Sequence, residues 1–129
     1  MARARGAHRA WLPWGFAVVT GGSMLPNLRD GDRVVIRYRA AVRPGDVVLV
    51  RRPDRPEVTM LKRVSERRPG GWWVLGDNPY RSTDSREFGP VPEDLVLGRV
   101  LRVRRTGGTG GNGGNGGKWE RVGAENPFE

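Results

Sequence analysis

The chain has no cysteine among its 129 residues, which removes thiol nucleophiles, disulfide frameworks and thiolate metal sites together. Histidine is nearly absent too. His8 stands alone in the basic arm "MARARGAHRA", so a Ser-His-Asp triad or a multi-histidine zinc centre would have to be built around one near-terminal side chain. Lysine is scarce in a more informative way: of 23 basic residues 21 are arginine, leaving only Lys62 and Lys118. Arginine stays protonated in proteins, whereas a buried lysine can lose its proton, so a position that keeps lysine here has a chemical reading. A long hydrophobic run is missing as well. The most apolar stretch, "WLPWGFAVV" at 11–19, follows Arg3, Arg5 and Arg9 as a signal peptide would, but it is too short to span a bilayer, contains Pro13 and lacks an A-x-A site. It reads as an opening strand or apolar arm packed on the core, with a shallow membrane contact through Trp11 and Trp14 left open.

What is present starts with charge. Against 14 acidic residues the basic excess gives +9, a balance that suits nucleic acid or an anionic membrane surface. The basic residues are scattered from Arg3 to Arg121, however, with only short pairs such as Arg51-Arg52 and Arg104-Arg105. That is the pattern of a solvated surface, and no nucleic-acid partner is expected. From residue 34 onward, short β-branched or aromatic runs alternate with Gly, Pro and Asp: "RVVIRYR", "VVLVRR", "VTMLKRV", "WWVLGDN", then "LVLGRVLRVRR". Such runs predict an all-β domain, with short helical turns at "LPNLRDGD" and "VPEDL". The length suits one domain. Its expected limits are a basic arm over 1–10, the β domain over 11–105, a Gly-rich flexible linker over 106–117 ("TGGTGGNGGNGG"), and a disordered tail over 118–129.

Three segments carry chemistry. In "TGGSMLPNLRDGD", residues 20–32, Ser23 sits behind Gly21 and Gly22, and a serine nucleophile there needs a base that histidine cannot supply. Lys62 lies in "VTMLKRV", where strand alternation puts it on the face of Met60 and Val64. To act as a base near neutral pH a lysine must fall from about 10.4 to roughly 7, about 4 to 5 kcal/mol of disfavoured charge, which burial can supply. A strand lysine can equally snorkel to the surface, so periodicity alone leaves both readings open. The third segment, "GDNPYRSTDSREFGPV" at 76–91, is too polar and glycine-broken for core. As a plain loop it would satisfy its own backbone through Asn78, Ser82 and Asp84.

Taken in order, Ser-Met-x-Pro, Lys-Arg-Val and Gly-Asp-Asn with Ser-x-Asp-Ser-Arg resemble the signal peptidase I superfamily of Ser-Lys proteases, over roughly residues 16–104. Within it, the short chain and "GGWWVLGDNPY" most resemble the nickel-type superoxide dismutase maturation proteases. The resemblance implies a signal-peptidase or repressor-protease-like complex β fold. It also implies roles: Ser23 as nucleophile, Lys62 as general base, Ser82 as the hydroxyl that orients the amine, Asp84 and Arg86 as structural support beneath the site, and Met24 beside the substrate channel. No metal or cofactor is needed for that chemistry. The substrate it implies is a precursor protein with an N-terminal propeptide, by this resemblance the nickel superoxide dismutase precursor, processed in the cytoplasm by a soluble enzyme without a transmembrane anchor. Two alternatives stand beside it: signal peptidase I-like processing of exported preproteins, and a non-enzymatic basic β module that binds nucleic acid or an acidic partner. The chain departs from the family at Gly21, where many members carry a serine whose hydroxyl helps bind the oxyanion, and at Pro79-Tyr80 after Gly-Asp-Asn. With Gly21, the Ser23 amide is the one oxyanion donor the sequence names.

Overall fold

The computed structural model describes residues 2–5, 13–106 and 118–122. Within these residues the chain runs β1 (Ala2–Arg5), β2 (Trp14–Val19), β3 (Arg33–Tyr38), β4 (Val47–Arg52), β5 (Arg55–Arg68), β6 (Gly71–Leu75), a single helical turn α1 (Ser85–Phe88), a 3-10 turn (Glu93–Leu95), β7 (Val96–Arg104) and β8 (Trp119–Arg121). The strands form one antiparallel sheet in the order β1-β2-β3-β7-β4-β5-β6, with β8 on the remaining part of β7. The all-β expectation therefore holds, and the helical content is confined to two short turns.

The centre of the sheet explains where the core sits. In β4 the run Val47-Val48-Leu49-Val50 is fully buried, and its residues divide between two clusters. Val47 and Leu49 pack with Ala17, Val34, Ile36, Leu61 and Val100, while Val48 and Val50 pack with Val64, Val74 and Val91 on the other face. A strand covered on both faces needs an unbroken apolar run, and β4 is the strand that has one. Lys62 lies directly opposite Val48 on β5, which fixes it on the face of Val64 and Val74.

Two turns share a sequence and a device. Arg29-Asp30-Gly31-Asp32 and Arg43-Pro44-Gly45-Asp46 both end in a fully buried aspartate whose Oδ2 accepts the arginine N–H three residues earlier, at 2.9 and 2.8 Å. The intervening Gly31 and Gly45 have φ of +94° and +95°, a conformation that glycine adopts without a Cβ penalty. These turns set the starts of β3 and β4.

At the ends the structure departs from the expectations. The opening apolar segment supplies β2, but Trp14, Phe16 and Val18 point outward and are 54, 58 and 44 % exposed, while Gly15, Ala17 and Val19 face inward. Cross-strand register sets that outward stripe beside Arg37, Val35 and Arg33 of β3, and those beside Arg99, Arg102 and Arg104 of β7. Trp11 lies outside the described residues. Ala2–Arg5, expected as a basic arm, pairs with β2. In the tail expected to be disordered, Trp119–Arg121 pairs with β7, Arg104 lies over the Trp119 ring, and Val122 N–H donates to Leu101 O at 3.0 Å. Most of the Gly-rich linker, 107–117, lies outside the described residues.

Candidate active site

The turn that follows β2 carries Ser23. It is anchored from below by Met24 and Leu28, 1 and 2 % exposed in the larger core cluster, and closed by Asn27 and Leu28 N–H groups donating to Met24 O at 2.9 Å. The helical turn expected at "LPNLRDGD" is thus one closed turn. Met24, which the resemblance sets beside a substrate channel, is buried in the core cluster beneath the turn, and its neighbour Leu25 is 37 % exposed. Ahead of Ser23 the Gly21 amide is held by Asp30 Oδ1 at 2.9 Å. Ser23 itself is partly exposed.

Lys62 is 2 % exposed, so the strand lysine does not snorkel. Its pKa is pushed below the ordinary 10.5, first by burial, which costs the ammonium its water; the Asp84 and Asp77 charges pull in the opposite direction and Arg86 adds to the depression. The amine reaches Ser82 Oγ at 3.5 Å. Ser82 in turn donates to Asp84 Oδ2 at 3.0 Å, so its proton is committed and a lone pair is left facing the amine.

Asp84 is the hub beneath. It is fully buried, which works against its charge, yet a two-pronged contact from Arg86 (2.9 and 2.7 Å), the Gly76 and Arg86 amides (2.9 and 3.2 Å) and Ser82 outweigh burial and hold the carboxyl down at about 2. The same carboxylate caps α1. The helix also buries Ser85, whose Oγ accepts the Val74 N–H at 2.9 Å and ties the loop to β6. Asp84 and Arg86 thus form a two-pronged pair against Ser82.

The Gly-Asp-Asn segment joins this cluster to the serine turn. A Cβ at Gly76 would lie 2.7 Å from Ser82 Cβ and 2.8 Å from Ser23 O, and would strike Ser82 Oγ, so the bare glycine lets the two serines approach one point. Asp77 accepts both prongs of Arg63 (3.0 and 2.9 Å) and the Asn27 amide at 2.8 Å. Asn78 holds the backbone on both sides of Ser23: its N–H donates to Ser23 O and its Nδ2 to Gly22 O, each at 2.9 Å. Among the described residues no hydrogen bond joins the Ser23 hydroxyl to the Lys62 amine. The amine meets Ser82, and Ser82 and the Ser23 main-chain carbonyl both close on Gly76; catalytic contacts in unliganded sites often tighten only with substrate. The sequence reading missed Gly76, Asp77 and Asn78 as parts of the site, although Gly-Asp-Asn lay within a quoted motif.

Comparison with known proteins gives the family of the chain. The family described as Peptidase S24-like matches residues 13–100. A mitochondrial inner membrane protease subunit 1 from Xenopus tropicalis is 33 % identical over 123 residues, covering 75 % of this chain and 74 % of that protein. The mitochondrial ATP-independent inner membrane protease subunit 1a of Arabidopsis thaliana is 38 % identical over 110 residues, covering 64 % of this chain and 66 % of that protein. A subunit 2 from Schizosaccharomyces pombe is 32 % identical, and the chain covers 61 % of it. The chain belongs to the Peptidase S24-like family, within the signal peptidase I-like superfamily, and is a serine peptidase of that type. The similar proteins are inner membrane protease subunits; none of those named here is a nickel superoxide dismutase maturation protease.

Proposed function

We propose that the chain is a Ser-Lys endopeptidase that removes N-terminal segments from precursor proteins in the manner of signal peptidase I. The observation that carries this is Lys62: a lysine 2 % exposed, its pKa lowered by burial, with Ser82 at its amine and the Ser23 turn converging on the same glycine. Neutral Lys62 takes the Ser23 hydroxyl proton as the oxygen attacks the scissile carbonyl, the Ser23 amide receives the oxyanion, and Lys62 returns the proton to the leaving amine. Water, deprotonated by the same amine, then releases the acyl group. Ser82, its own proton directed to Asp84, keeps the amine aimed; Asp84 and Arg86 hold Ser82 and take no proton.

The names of the relatives favour signal peptidase-type processing over the nickel superoxide dismutase precursor suggested by motif resemblance. No helix among the described residues is long and apolar enough to cross a membrane. The outward stripe of Trp14, Phe16 and Val18 beside Arg33 and Arg37 suits peripheral contact with an anionic lipid surface, and supports a reading in which a chain in the cytoplasm meets its substrate at a membrane. Incubation with an exported preprotein and with a nickel superoxide dismutase precursor, followed by mass spectrometry of the new N-termini, separates the substrates. Cleavage of the first by the wild type and not by Ser23→Ala is expected; cleavage of neither, or cleavage that survives Ser23→Ala, overturns the proposal.

A further inference from the structure

We infer that Asn78 is the positioning residue for the oxyanion donor, the Ser23 amide; the inference rests on the Ser23 peptidase reading above. Its starting point is peptide geometry. The Gly22-Ser23 bond is trans, since the one cis bond among the described residues is Leu25-Pro26. In a planar trans peptide the carbonyl and the N–H point in opposite directions, so whatever holds Gly22 O also aims the Ser23 N–H. Asn78 Nδ2 holds Gly22 O at 2.9 Å, joined by the Leu25 N–H at 3.2 Å. The Asn78 backbone N–H holds Ser23 O, also at 2.9 Å, and so fixes the peptide plane on the other side of Ser23 Cα.

Asn78 is itself fixed. Its Oδ1 accepts the Tyr80 N–H at 3.0 Å, which leaves Nδ2 as the atom facing Gly22, and its carbonyl accepts the Arg81 N–H. The residue is half-buried, in the loop that Asp77 ties to Arg63 and Asn27. One residue, through its side-chain amide and its main-chain N–H, thus holds the peptide planes on both sides of the nucleophile. With glycine two residues before Ser23, the Ser23 amide has no side-chain hydroxyl there to share the oxyanion, and its direction sets how much transition-state charge the site can stabilise.

The test uses p-nitrophenyl acetate and p-nitrophenyl thionoacetate, acylating probes whose developing oxyanion or thioanion differs in how strongly it accepts an N–H bond. The full chain and its Asn78→Ala and Asn78→Asp variants are compared by mass spectrometry of acyl-Ser23, with circular dichroism for fold. Asn78→Asp keeps an acceptor for Tyr80 N–H but replaces the donor to Gly22 O with a charged acceptor, while Asn78→Ala removes that donor without adding charge. For a misaimed amide, oxo-ester acylation is expected to fall about ten- to a hundredfold in both variants, with thiono-ester acylation changing by less than about threefold. Folded variants that keep the wild-type oxo-to-thiono ratio, whether the two rates fall together or do not fall, overturn the role assigned to Asn78. Acylation of the wild type that does not depend on Ser23 would instead overturn the peptidase reading itself, and the inference with it.

Discussion

Replacing Gly76 by alanine probes the convergence of the site at a single atom. The new Cβ would stand 2.7 Å from Ser82 Cβ and 2.8 Å from Ser23 O, with Ser82 Oγ nearer still. Comfortable carbon contacts begin near 3.5 Å, so each neighbour must retreat by roughly 0.7 Å or more. Neither can do so freely. Ser82 already meets Lys62 at 3.5 Å, the outer limit of a hydrogen bond, and Ser23 O is held by Asn78. Overpacking of this kind costs about 1 to 3 kcal/mol, and for a domain of this size about 4 to 8 °C of Tm per kcal/mol. The larger effect falls on rate: displacing a catalytic contact by about 1 Å can cost a hundredfold. The assay is single-turnover acylation of Ser23 by p-nitrophenyl acetate, read by mass spectrometry, alongside thermal unfolding. A Gly76→Ala protein with wild-type rate and Tm would refute the close approach and the argument built on it.

Lys62→Met should abolish acylation while keeping or raising Tm, because a thioether of similar length fills the same apolar space without the cost of a buried amine; thermal unfolding at neutral pH reads this. Asp84→Asn removes a charge that raises the Lys62 pKa, and Arg86→Gln removes one that lowers it, so the alkaline-rising limb of the rate profile should move to lower pH in the first and to higher pH in the second. Asp84 also links stability to acid. Its carboxyl titrates at about 2 in the fold against 3.8 ordinarily, so roughly 2 kcal/mol is present above the ordinary value and is lost as pH falls toward the folded one, an acid-dependence of unfolding that Asp84→Asn should lack. Truncation after Thr106 removes β8 and the Glu120 contact to Arg105, and should lower Tm by a few degrees while acylation persists, since no residue of β8 reaches the site.

Local pattern carried much of the fold. The β-branched runs broken by Gly, Pro and Asp became strands, and alternation placed Lys62 with Val64 because a strand's period of two leaves no other choice. Whether the amine is buried was not legible, since it depends on Val48 across the sheet and on a loop twenty residues later. Asn78 was read as a turn residue for the same reason: its bond to Gly22 spans 56 positions, and only the closed sheet brings them together. The α1 turn did leave a signal, an Asp N-cap at 84 and glycine at 89, obscured by its single turn's length. That Met24 is buried was not legible either, because a side chain next to a nucleophile can point toward solvent or toward the core until the turn's direction is known. Outward Trp14 and Phe16 likewise defeat hydropathy, which does not tell which face of a strand meets the core.

The most direct test of the Ser-Lys assignment is the pH dependence of Ser23 acylation by p-nitrophenyl acetate, followed by mass spectrometry from neutral to alkaline pH in the wild type and in Lys62→Met. Since only the neutral amine can accept the serine proton, the wild-type rate should rise through a pKa below the ordinary lysine value of 10.5 and level off above it, and that limb should vanish in Lys62→Met. A wild-type rate that climbs only near the ordinary lysine value, or the same limb persisting without Lys62, would contradict the assignment.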